Sequence, residues 1–290
     1  MFFVNKDFNA RYIFVFGGLG NQLFQYALAC FMHDNGVQNI KFIDCTSLFT
    51  VRRQYCLQNG DFETISLPKY KLLLLLSIIY FIKFLPFAKF KKYLRIYYDG
   101  EVLIQDDLKT IKKMRYFYGY WQEFLLATNC SDKIDSLFDN IEHLASEKNV
   151  TGVHCRRGDF ITNKNTQNYN VTNKEYFELG VRQVLGVHPN NTVKVFTDDK
   201  EWCIKNLSFA NYSNTFSDQS ELGEIKDFMH LKSSSSFVLS NSTFGWWASY
   251  AAKSENKIIV LPDMWLSNLS TRQTKLYDKK AHLLLNVYPN

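Results

Sequence analysis

The sequence predicts an α/β fold made of two parallel-sheet domains that face a cleft. Short runs of β-branched and aromatic residues alternate with helical segments along the chain, as they do in parallel α/β proteins. Polar and glycine-rich motifs directly follow several of these runs, and α/β proteins bind ligands at the carboxyl ends of such strands. The length of 290 residues is enough for two domains of about 145 residues each.

Six strands and three helices support this prediction. The strands are short apolar runs, the pattern expected when both faces of a parallel sheet are covered, and they span residues 12–16, 40–44, 150–154, 193–197, 237–240 and 258–261. Helices are predicted over residues 21–33, 173–185 and 221–231. Asn35-Gly36 ends the first helix, and Thr172 or Asn173 caps the second.

The polar stretch SEKN at residues 146–149 indicates a domain boundary. We predict an N-terminal domain over residues 1–148, which contains a basic and apolar insertion at about 65–100, and a C-terminal domain over residues 149–290.

Composition and charge exclude several classes of protein. Apolar residues make up 46% of the chain and charged residues 21%, which excludes intrinsic disorder. The net charge of +6 comes from one segment: residues 69–95 hold seven Lys and Arg and no acidic residue, and the rest of the chain has 27 basic against 28 acidic residues. A nucleic-acid-binding protein usually spreads its basic residues over a whole face, so we predict a local basic patch and no nucleic-acid partner.

The apolar run LLLLLSIIYFI at residues 72–82 is too short to cross a bilayer as a helix. Two interpretations of this run are open. The first is a buried or dimer-facing helix. The second is a helix on the surface of an anionic membrane, because lysines flank the run and Pro86 would interrupt any longer helix.

The six cysteines form no CxxC pair and no zinc-ligand pattern with histidines, so we expect reduced and buried thiols. The N-terminal residues lack the pattern of a signal peptide. Both observations lead us to expect a cytoplasmic protein in a reducing compartment.

Two glycine-containing motifs follow predicted strands. GGLGNQ at residues 17–22 lets the backbone approach a ligand at a helix N-terminus, although the same residues also form ordinary tight turns. HCRRGD at residues 154–159 places two arginines at a strand end, and arginine suits bidentate phosphate recognition. Asp159 can hold one guanidinium, so a purely structural Arg–Asp pair is the alternative.

Two further motifs occupy similar places. In VFTDDKEWC, residues 195–203, the pair Asp198-Asp199 can bind a divalent metal, accept hydrogen bonds from a ribose or a base, or cap the next helix. NSTFGWW, residues 241–247, together with Ser240 before it, can form an anion cradle from backbone amides and hydroxyl groups. We expect its two tryptophans to pack in the core.

Taken together, GGLGNQLFQYA, HCRRGD, VFTDDKEWC and NSTFGWW occur in this order, with GYWQ at residues 119–122. This set resembles the bacterial α-1,2-fucosyltransferases of glycosyltransferase family 11, over the whole chain except residues near 65–100. Cys155, Phe160 and Thr197 depart from the residues that the family often has at these positions. None of the three removes a functional group assigned below.

The resemblance implies a GT-B-like fold with two Rossmann-like domains, and an inverting transfer of L-fucose from GDP-β-L-fucose to the 2-hydroxyl of a terminal galactose. It implies that the reaction needs no metal and no cofactor. Arg156 would contact the β-phosphate and stabilise the departing GDP, with Asn21 near the reacting centre and Asp159 beside the arginines. The implied donor-binding residues are Gly18, His154, Arg157, Asp198, Asp199, Asn241, Ser242, Thr243 and Phe244.

The acceptor side is predicted at Tyr120, Trp121, Gln122 and Glu123, where rings can stack on a sugar and polar groups can contact its hydroxyls. Core packing is the alternative for the aromatic rings. Asp159, Glu123 and His154 are candidates for the base, and a dissociative route without a strong base, helped by Asn21, is the alternative.

The partners implied by the resemblance are GDP-fucose and a galactose-terminated glycan, expected to be a lipid-linked O-antigen-like repeat at the inner face of the cytoplasmic membrane. Residues 69–95 would then make a peripheral membrane contact. Two alternatives are open: a fucosyltransferase of other regiochemistry or donor, and a non-catalytic protein that binds membranes or nucleic acid through the basic patch.

Overall fold

In the computed structural model the chain consists of two α/β units, Met1–Leu137 and Phe138–Asn290. The structure describes residues 9–48, 53–84, 93–100, 104–128, 130, 133–138, 146–162, 168–209, 215–216 and 223–287. The sequence places the boundary after residue 148, whereas the contacts divide the chain after Leu137.

The first unit is built on one parallel sheet. Its described strands are β1 (Arg11–Val15), β2 (Ile40–Asp44), β3 (Glu63–Ile65), β4 (Ile96–Tyr98) and β5 (Tyr116–Tyr118). Its described helices are α1 (Leu19–Asp34), α2 (Lys69–Phe84), α3 (Leu108–Ile111) and α4 (Phe124–Thr128), with short 3-10 helices at Thr46–Leu48 and Ile104–Asp107. The strand order is β3-β2-β1-β5-β4, and all neighbours pair in parallel.

Asn35-Gly36 ends helix α1, as predicted from the sequence. Gly36 adopts a φ of +83°, a left-handed conformation that favours glycine and closes a helix. Its N–H donates to the His33 carbonyl at 2.9 Å, and the N–H of Val37 donates to the Met32 carbonyl at 2.9 Å. These bonds satisfy carbonyl groups that the helix would otherwise leave open.

Helix α2 packs one face against the sheet of the first unit. Leu72, Leu75, Ile79 and Ile82 are buried and share a core cluster with Phe14 of strand β1. In the chain α2 joins β3 to β4. The segment predicted as an insertion therefore supplies a crossover helix and an edge strand, and the buried-helix interpretation holds for this face of α2.

The second unit also has one main parallel sheet. Its described strands are β6 (Val150–Cys155), β7 (Thr192–Thr197), β8 (Thr215–Phe216), β9 (Ser236–Leu239), β10 (Ile259–Pro262), β11 (Met264–Leu266), β12 (Leu269–Ser270) and β13 (Leu283–Leu285). Its described helices are α5 (Gly158–Thr162), α6 (Lys174–Val187), α7 (Lys200–Asn206), α8 (Gly223–Lys232) and α9 (Thr243–Ala251). A short 3-10 helix covers Thr271–Gln273, and another, Ser136–Phe138, contains the point at which the chain passes from the first unit to the second.

The sheet of the second unit has the order β13-β10-β9-β6-β7-β8, with all neighbours parallel. Counted from β6, this is the Rossmann strand order. Strands β11 and β12 form a separate antiparallel pair. The predicted α/β fold with two parallel sheets is confirmed, and each of the six predicted strands is present with its bounds shifted by at most one residue.

Helix α6 shows how a helix of the second unit is fixed on the sheet. The Asn173 side chain caps it by accepting the N–H of Tyr176 at 2.9 Å, which confirms one of the two predicted caps. The Tyr176 hydroxyl donates to the Leu239 carbonyl at 2.6 Å. A Cβ on Gly180 would lie 2.6 Å from a methyl group of Val238, so α6 approaches strand β9 too closely for a larger residue there.

The six cysteine thiols are free and buried, as predicted. Among the described residues, no helix combines the length and the apolar content that spanning a bilayer requires.

Candidate active site

The HCRRGD and NSTFGWW motifs meet at the carboxyl-end edge of the second sheet, where the central strands β6 and β9 end. Strands β6 and β9 are neighbours, although the chain leaves β6 towards β7 on one side and continues from β9 towards β10 on the other. A ligand crevice forms at such a switch point in open α/β sheets. The Ser240 hydroxyl accepts the N–H of Arg156 at 2.9 Å, and the N–H of Ser240 donates to the His154 carbonyl at 2.9 Å. These bonds hold the two strand ends together.

Arg156 is held by Asp198 at the end of the next strand, β7. Its guanidinium lies 2.9 Å from an Asp198 oxygen, with about a quarter of each side chain exposed (25% and 24%). The other Asp198 oxygen accepts the backbone N–H of Arg157 at 2.8 Å. Asp198 therefore orients Arg156 while leaving its guanidinium within reach of a ligand.

Arg157 is held on two sides and is less exposed. Its Nε donates to an Asp199 oxygen at 3.2 Å, and its guanidinium lies 3.7 Å from the centre of the Trp202 ring. Asp199 also caps helix α7 by accepting the N–H of Trp202 at 3.1 Å. Of the two arginines, Arg156 is therefore the one better placed to contact a ligand, and Arg157 is fixed mainly by the protein.

Gly158 makes room for the Asp198 carboxylate. A Cβ at this position would lie 2.7 Å from the Asp198 oxygen that contacts Arg156, which is closer than two such atoms can approach. Asp159 follows within helix α5, but its side chain lies outside what the structure describes.

His154 is a neutral imidazole beside Arg156. It is 7% exposed, and its ring stacks on Phe244 with centroids 5.2 Å apart. Burial, reinforced by the Arg156 guanidinium, lowers the pKa of His154 to about 4. At neutral pH it can therefore donate or accept one hydrogen bond but carries no positive charge for a phosphate. Its Nδ1 has no hydrogen-bond partner among the described residues.

Helix α9 begins at the same edge. Ser242 is its N-cap residue and Thr243 its first residue, and no acidic residue occupies the first turn. A helix N-terminus of this kind favours an anion. At the opposite end, Lys257 closes the helix by donating to the carbonyls of Ser249, Tyr250 and Ala252 at 2.8–2.9 Å.

Asn241 has a positioning role in this arrangement. Its amide nitrogen donates to the carbonyls of Tyr169 at 3.0 Å and Trp265 at 2.7 Å, and the residue is 2% exposed. Trp246 and Trp247 are fully buried, so the packing expected for the two tryptophans is what the structure has.

The first unit has a comparable edge between β1 and β5. The chain passes from β1 to β2 on one side and returns to β5 on the other, so these neighbours also form a switch point. The Gln122 amide donates to the Asn21 side-chain oxygen at 2.9 Å. Gln25 joins the two strand ends, because it accepts the Phe16 N–H at 3.1 Å and donates to the Gly119 carbonyl at 3.0 Å. The GGLGNQ and GYWQ motifs are thereby brought together.

Two glycines shape the start of helix α1. Gly17 has a φ of +86°, and a Cβ there would lie 2.7 Å from the Asn21 amide nitrogen. Gly18 is the N-cap residue, and its carbonyl accepts the N–H of Asn21 at 3.0 Å. Asn21 is thus fixed from the backbone side as well as by Gln122.

The four predicted acceptor residues differ in accessibility. Tyr120 is 40% exposed, and Gln122 is partly buried. Trp121 is 1% exposed and stacks on Tyr97 with centroids 5.8 Å apart, while Glu123 is 2% exposed. Core packing, the alternative for the rings, is what the structure has for Trp121, so Tyr120 and Gln122 are the members of this group that a sugar can reach.

Two residues that organise these edges, Gln25 and Trp202, have no role in the sequence-based prediction. Ser240 is predicted as part of the anion cradle, and in the structure its hydroxyl accepts the N–H of Arg156. A weak signal exists for Trp202, which stands three residues after a helix cap. Gln25 and Gln22 are both fully buried on the mainly apolar inner side of helix α1, and buried amides in such a place indicate a bridging role.

Two buried histidines of the second unit predict a loss of stability in acid. Burial lowers the pKa of His282, like that of His154, to about 4. The unfolded chain takes up protons near pH 6.5, whereas the folded chain does so only near pH 4. The free energy of unfolding therefore has its full value above pH 6.5. It falls as the pH drops towards 4, by about 3 kcal/mol for each histidine.

Urea unfolding at about pH 7.5, about pH 6.0 and about pH 5.0 measures this decrease in the free energy of unfolding. His282→Gln is expected to remove roughly half of the pH dependence, whereas His33→Gln, which changes an exposed histidine, is expected to leave it unchanged. A free energy of unfolding that is equal at the highest and lowest pH would contradict the prediction.

Comparisons with known proteins agree with the motif-based resemblance. The sequence profile described as "Glycosyl transferase family 11" matches residues 89–280, more than half of the chain. The O-antigen biosynthesis glycosyltransferase WbnK of Escherichia coli is 28% identical over 295 residues, which cover 87% of this chain and 93% of that protein.

Two further relatives match shorter regions. The alpha-1,2-colitosyltransferase of Escherichia coli is 26% identical over 161 residues, which cover 51% of this chain and 55% of that protein. The galactoside alpha-(1,2)-fucosyltransferase 1 of Rattus norvegicus is 26% identical over 121 residues, which cover 40% of this chain and 32% of that protein. The profile match includes the GYWQ motif and the arginine-bearing edge of the second sheet. Because it covers more than half of the chain, the chain belongs to glycosyl transferase family 11.

Proposed function

We propose that this chain transfers L-fucose from GDP-β-L-fucose to the 2-hydroxyl of a terminal galactose, with inversion at the fucose C1. Three things support the proposal: membership of the family, the names of its relatives, and the chemistry of the arginine-bearing edge. The observation that carries it is the Arg156 guanidinium, which stands at the switch point of a Rossmann-ordered sheet with Asp198 behind it.

The proposed role of Arg156 follows from where charge develops. As the bond between fucose C1 and the β-phosphate oxygen breaks, the sugar becomes oxocarbenium-like and the departing GDP gains negative charge. A preorganised guanidinium with two parallel N–H donors stabilises that charge more in the transition state than in the bound donor. The N-terminus of helix α9, with Ser242 and Thr243, adds favourable dipoles nearby.

The acceptor hydroxyl attacks C1 from the face opposite the departing phosphate, which gives the α-linkage. Its proton passes to a base, for which Asp159, Glu123 and His154 are the candidates. On the alternative dissociative route the proton leaves late, and Asn21 orients the hydroxyl. The lowered pKa of His154 keeps its imidazole unprotonated at neutral pH, but it also makes this imidazole a weaker base than an ordinary histidine.

We further propose that the reaction needs no metal and no cofactor. Asp198 and Asp199, the carboxylates that a cation would need, each contact an arginine, and Asp199 also caps a helix. Two fixed guanidinium groups supply the positive charge that a divalent cation provides in other sites. Full loss of activity in EDTA that a metal restores would contradict this part of the proposal.

The acceptor is proposed to be a galactose-terminated O-antigen-like repeat, handled in the cytoplasm. The name of the WbnK relative supports the O-antigen assignment. Tyr120 offers an exposed ring for the apolar face of galactose, and Gln122 and Asn21 offer amide groups for its hydroxyls.

A second candidate donor is a colitosyl nucleotide, because an alpha-1,2-colitosyltransferase matches about half of this chain. Direct competition between the two nucleotide sugars for the purified protein separates the two assignments. Preferred use of the colitosyl donor would replace fucose in the proposal and leave the role of Arg156 intact.

The direct test incubates the purified chain with GDP-fucose and a panel of β-galactosides in EDTA, and measures GDP release and product linkage by NMR. We expect an α-1,2-linked fucose. The matched control is the 2-deoxy form of the best galactoside, which lacks the accepting hydroxyl and should release no GDP above background. Transfer to that control would contradict the regiochemistry.

A further inference from the structure

Helix α2 is apolar on two opposite faces. Its inner face packs on the sheet of the first unit. Its outer face is exposed, with relative exposures of 67% for Phe81 and 66% for Phe84. The exposed apolar side chains of this helix are Tyr70, Leu73, Leu74, Tyr80, Phe81 and Phe84.

The spacing of these residues makes them one stripe. They recur at intervals of three, four and seven residues, which places them on the side of the helix opposite Leu75 and Ile79. The helix has 16 residues, so the stripe extends along about 24 Å. Soluble proteins rarely expose so many neighbouring apolar side chains unless they contact a partner or a membrane.

The charges beside the stripe decide which partner fits. Lys69 and Lys71 lie on its two flanks, and residues 69–95 contain no acidic residue. A symmetric dimer through this face would bring the lysines of two identical chains together without a compensating charge. An anionic bilayer can contact both kinds of side chain on this face. Its apolar acyl chains contact the aromatic rings, and its negative headgroups bind the lysines.

We propose that the outer face of helix α2 is a membrane-docking surface, which inserts its aromatic side chains at the level of the headgroups of an anionic phospholipid bilayer. The helix lies in the plane of the bilayer, with its inner face still packed on the sheet. Tyr80 and Phe84, whose ring centroids are 4.9 Å apart, form one end of the inserted stripe. The surface does not depend on which sugar the site transfers.

Co-sedimentation with vesicles tests this surface, using the purified full chain without donor or acceptor. We expect binding to mixed phosphatidylglycerol–phosphatidylcholine vesicles, little binding to phosphatidylcholine alone, and weaker binding in high salt. The double substitution Phe81→Ser/Phe84→Ser should lower the vesicle partition coefficient about tenfold or more.

The matched control is Val187→Ser/Ile204→Ser, which changes two exposed apolar residues of the second unit and should leave vesicle binding unchanged. Thermal unfolding and transfer to a soluble galactoside are measured on both variants, and we expect neither to change, because all four side chains are exposed. A parent chain that binds vesicles but transfers no fucose to the galactoside would therefore count against the proposed function and not against this surface.

Three results would overturn the proposal: no sedimentation of the parent chain with anionic vesicles, equal sedimentation of both double variants, or a dimer in light scattering that Phe81→Ser/Phe84→Ser dissociates while vesicles leave it intact. The last result would assign the face to a second copy of the chain.

Discussion

Arg156→Ala is expected to lower kcat for fucosyl transfer about 10²- to 10³-fold, or about 3 kcal/mol of transition-state stabilisation. The reason is that this guanidinium stands at the end of strand β6, oriented by Asp198 at 2.9 Å and anchored through its backbone to Ser240. The charge that it stabilises grows as the phosphate departs, so the loss should fall on kcat more than on KM. Steady-state kinetics with GDP-fucose and a soluble galactoside measure both.

Two further variants sharpen this measurement. Arg156→Lys keeps the charge but removes the two parallel donors, so we expect an activity between those of the parent and the alanine variant. Arg182→Ala changes an exposed arginine on helix α6 and should leave kcat unchanged. A kcat for Arg156→Ala within about twofold of the parent, less than 1 kcal/mol, would remove Arg156 from the leaving-group role.

Gly158→Ala is expected to lower kcat/KM about 10- to 100-fold while the protein stays folded. The added methyl group would lie 2.7 Å from the Asp198 oxygen that contacts Arg156, so the carboxylate must move. Asp198 holds both the Arg156 guanidinium and the Arg157 N–H, and moving it displaces the charge that we assign to the reaction.

Gly186→Ala is the matched control for this change. Gly186 lies in helix α6 with nothing within 4 Å of its added methyl group. Alanine there should leave kcat/KM unchanged and raise stability slightly, by about 0.4–1 kcal/mol. Equal activity of the two alanine variants would contradict the coupling between Gly158, Asp198 and Arg156.

The long strands and the motifs behind them could be predicted because their signals are local. Strands β1, β2, β6, β7, β9 and β10 are mainly apolar runs, and polar or glycine-rich motifs mark the carboxyl ends of β1, β6, β7 and β9. Strands β3, β4, β5 and β13 have only three residues each. Three residues carry no recognisable period, and their pairing depends on neighbours far along the chain.

Helix α2 shows a different limit of sequence-based prediction. Its composition fits both a buried helix and a membrane-surface helix, because it carries apolar stripes on opposite sides. Only the position of the sheet decides which stripe is covered. The structure confirms the buried-helix interpretation for the inner face, and the membrane-surface interpretation stays a proposal for the outer face.

At the candidate site, residue types could be predicted but partners could not. The motifs indicated two arginines and two aspartates, yet the pairing of Arg156 with Asp198 and of Arg157 with Asp199 depends on the register of β6 beside β7. Trp121 points into the core because its backbone turns with a φ of +60°, held by a hydrogen bond from its N–H to Asp99 at 2.8 Å. Such a turn leaves no signal in the residue order around it.

The most direct test of the central claim is calorimetric titration of GDP and GMP into the parent chain and Arg156→Ala, in EDTA. We assign Arg156 to the β-phosphate, which GMP lacks. GDP should therefore bind the parent without metal and bind the variant about 10- to 100-fold more weakly, whereas GMP should bind both equally. Equal GDP affinity for the two proteins, or GDP binding that requires a divalent cation, would contradict the account.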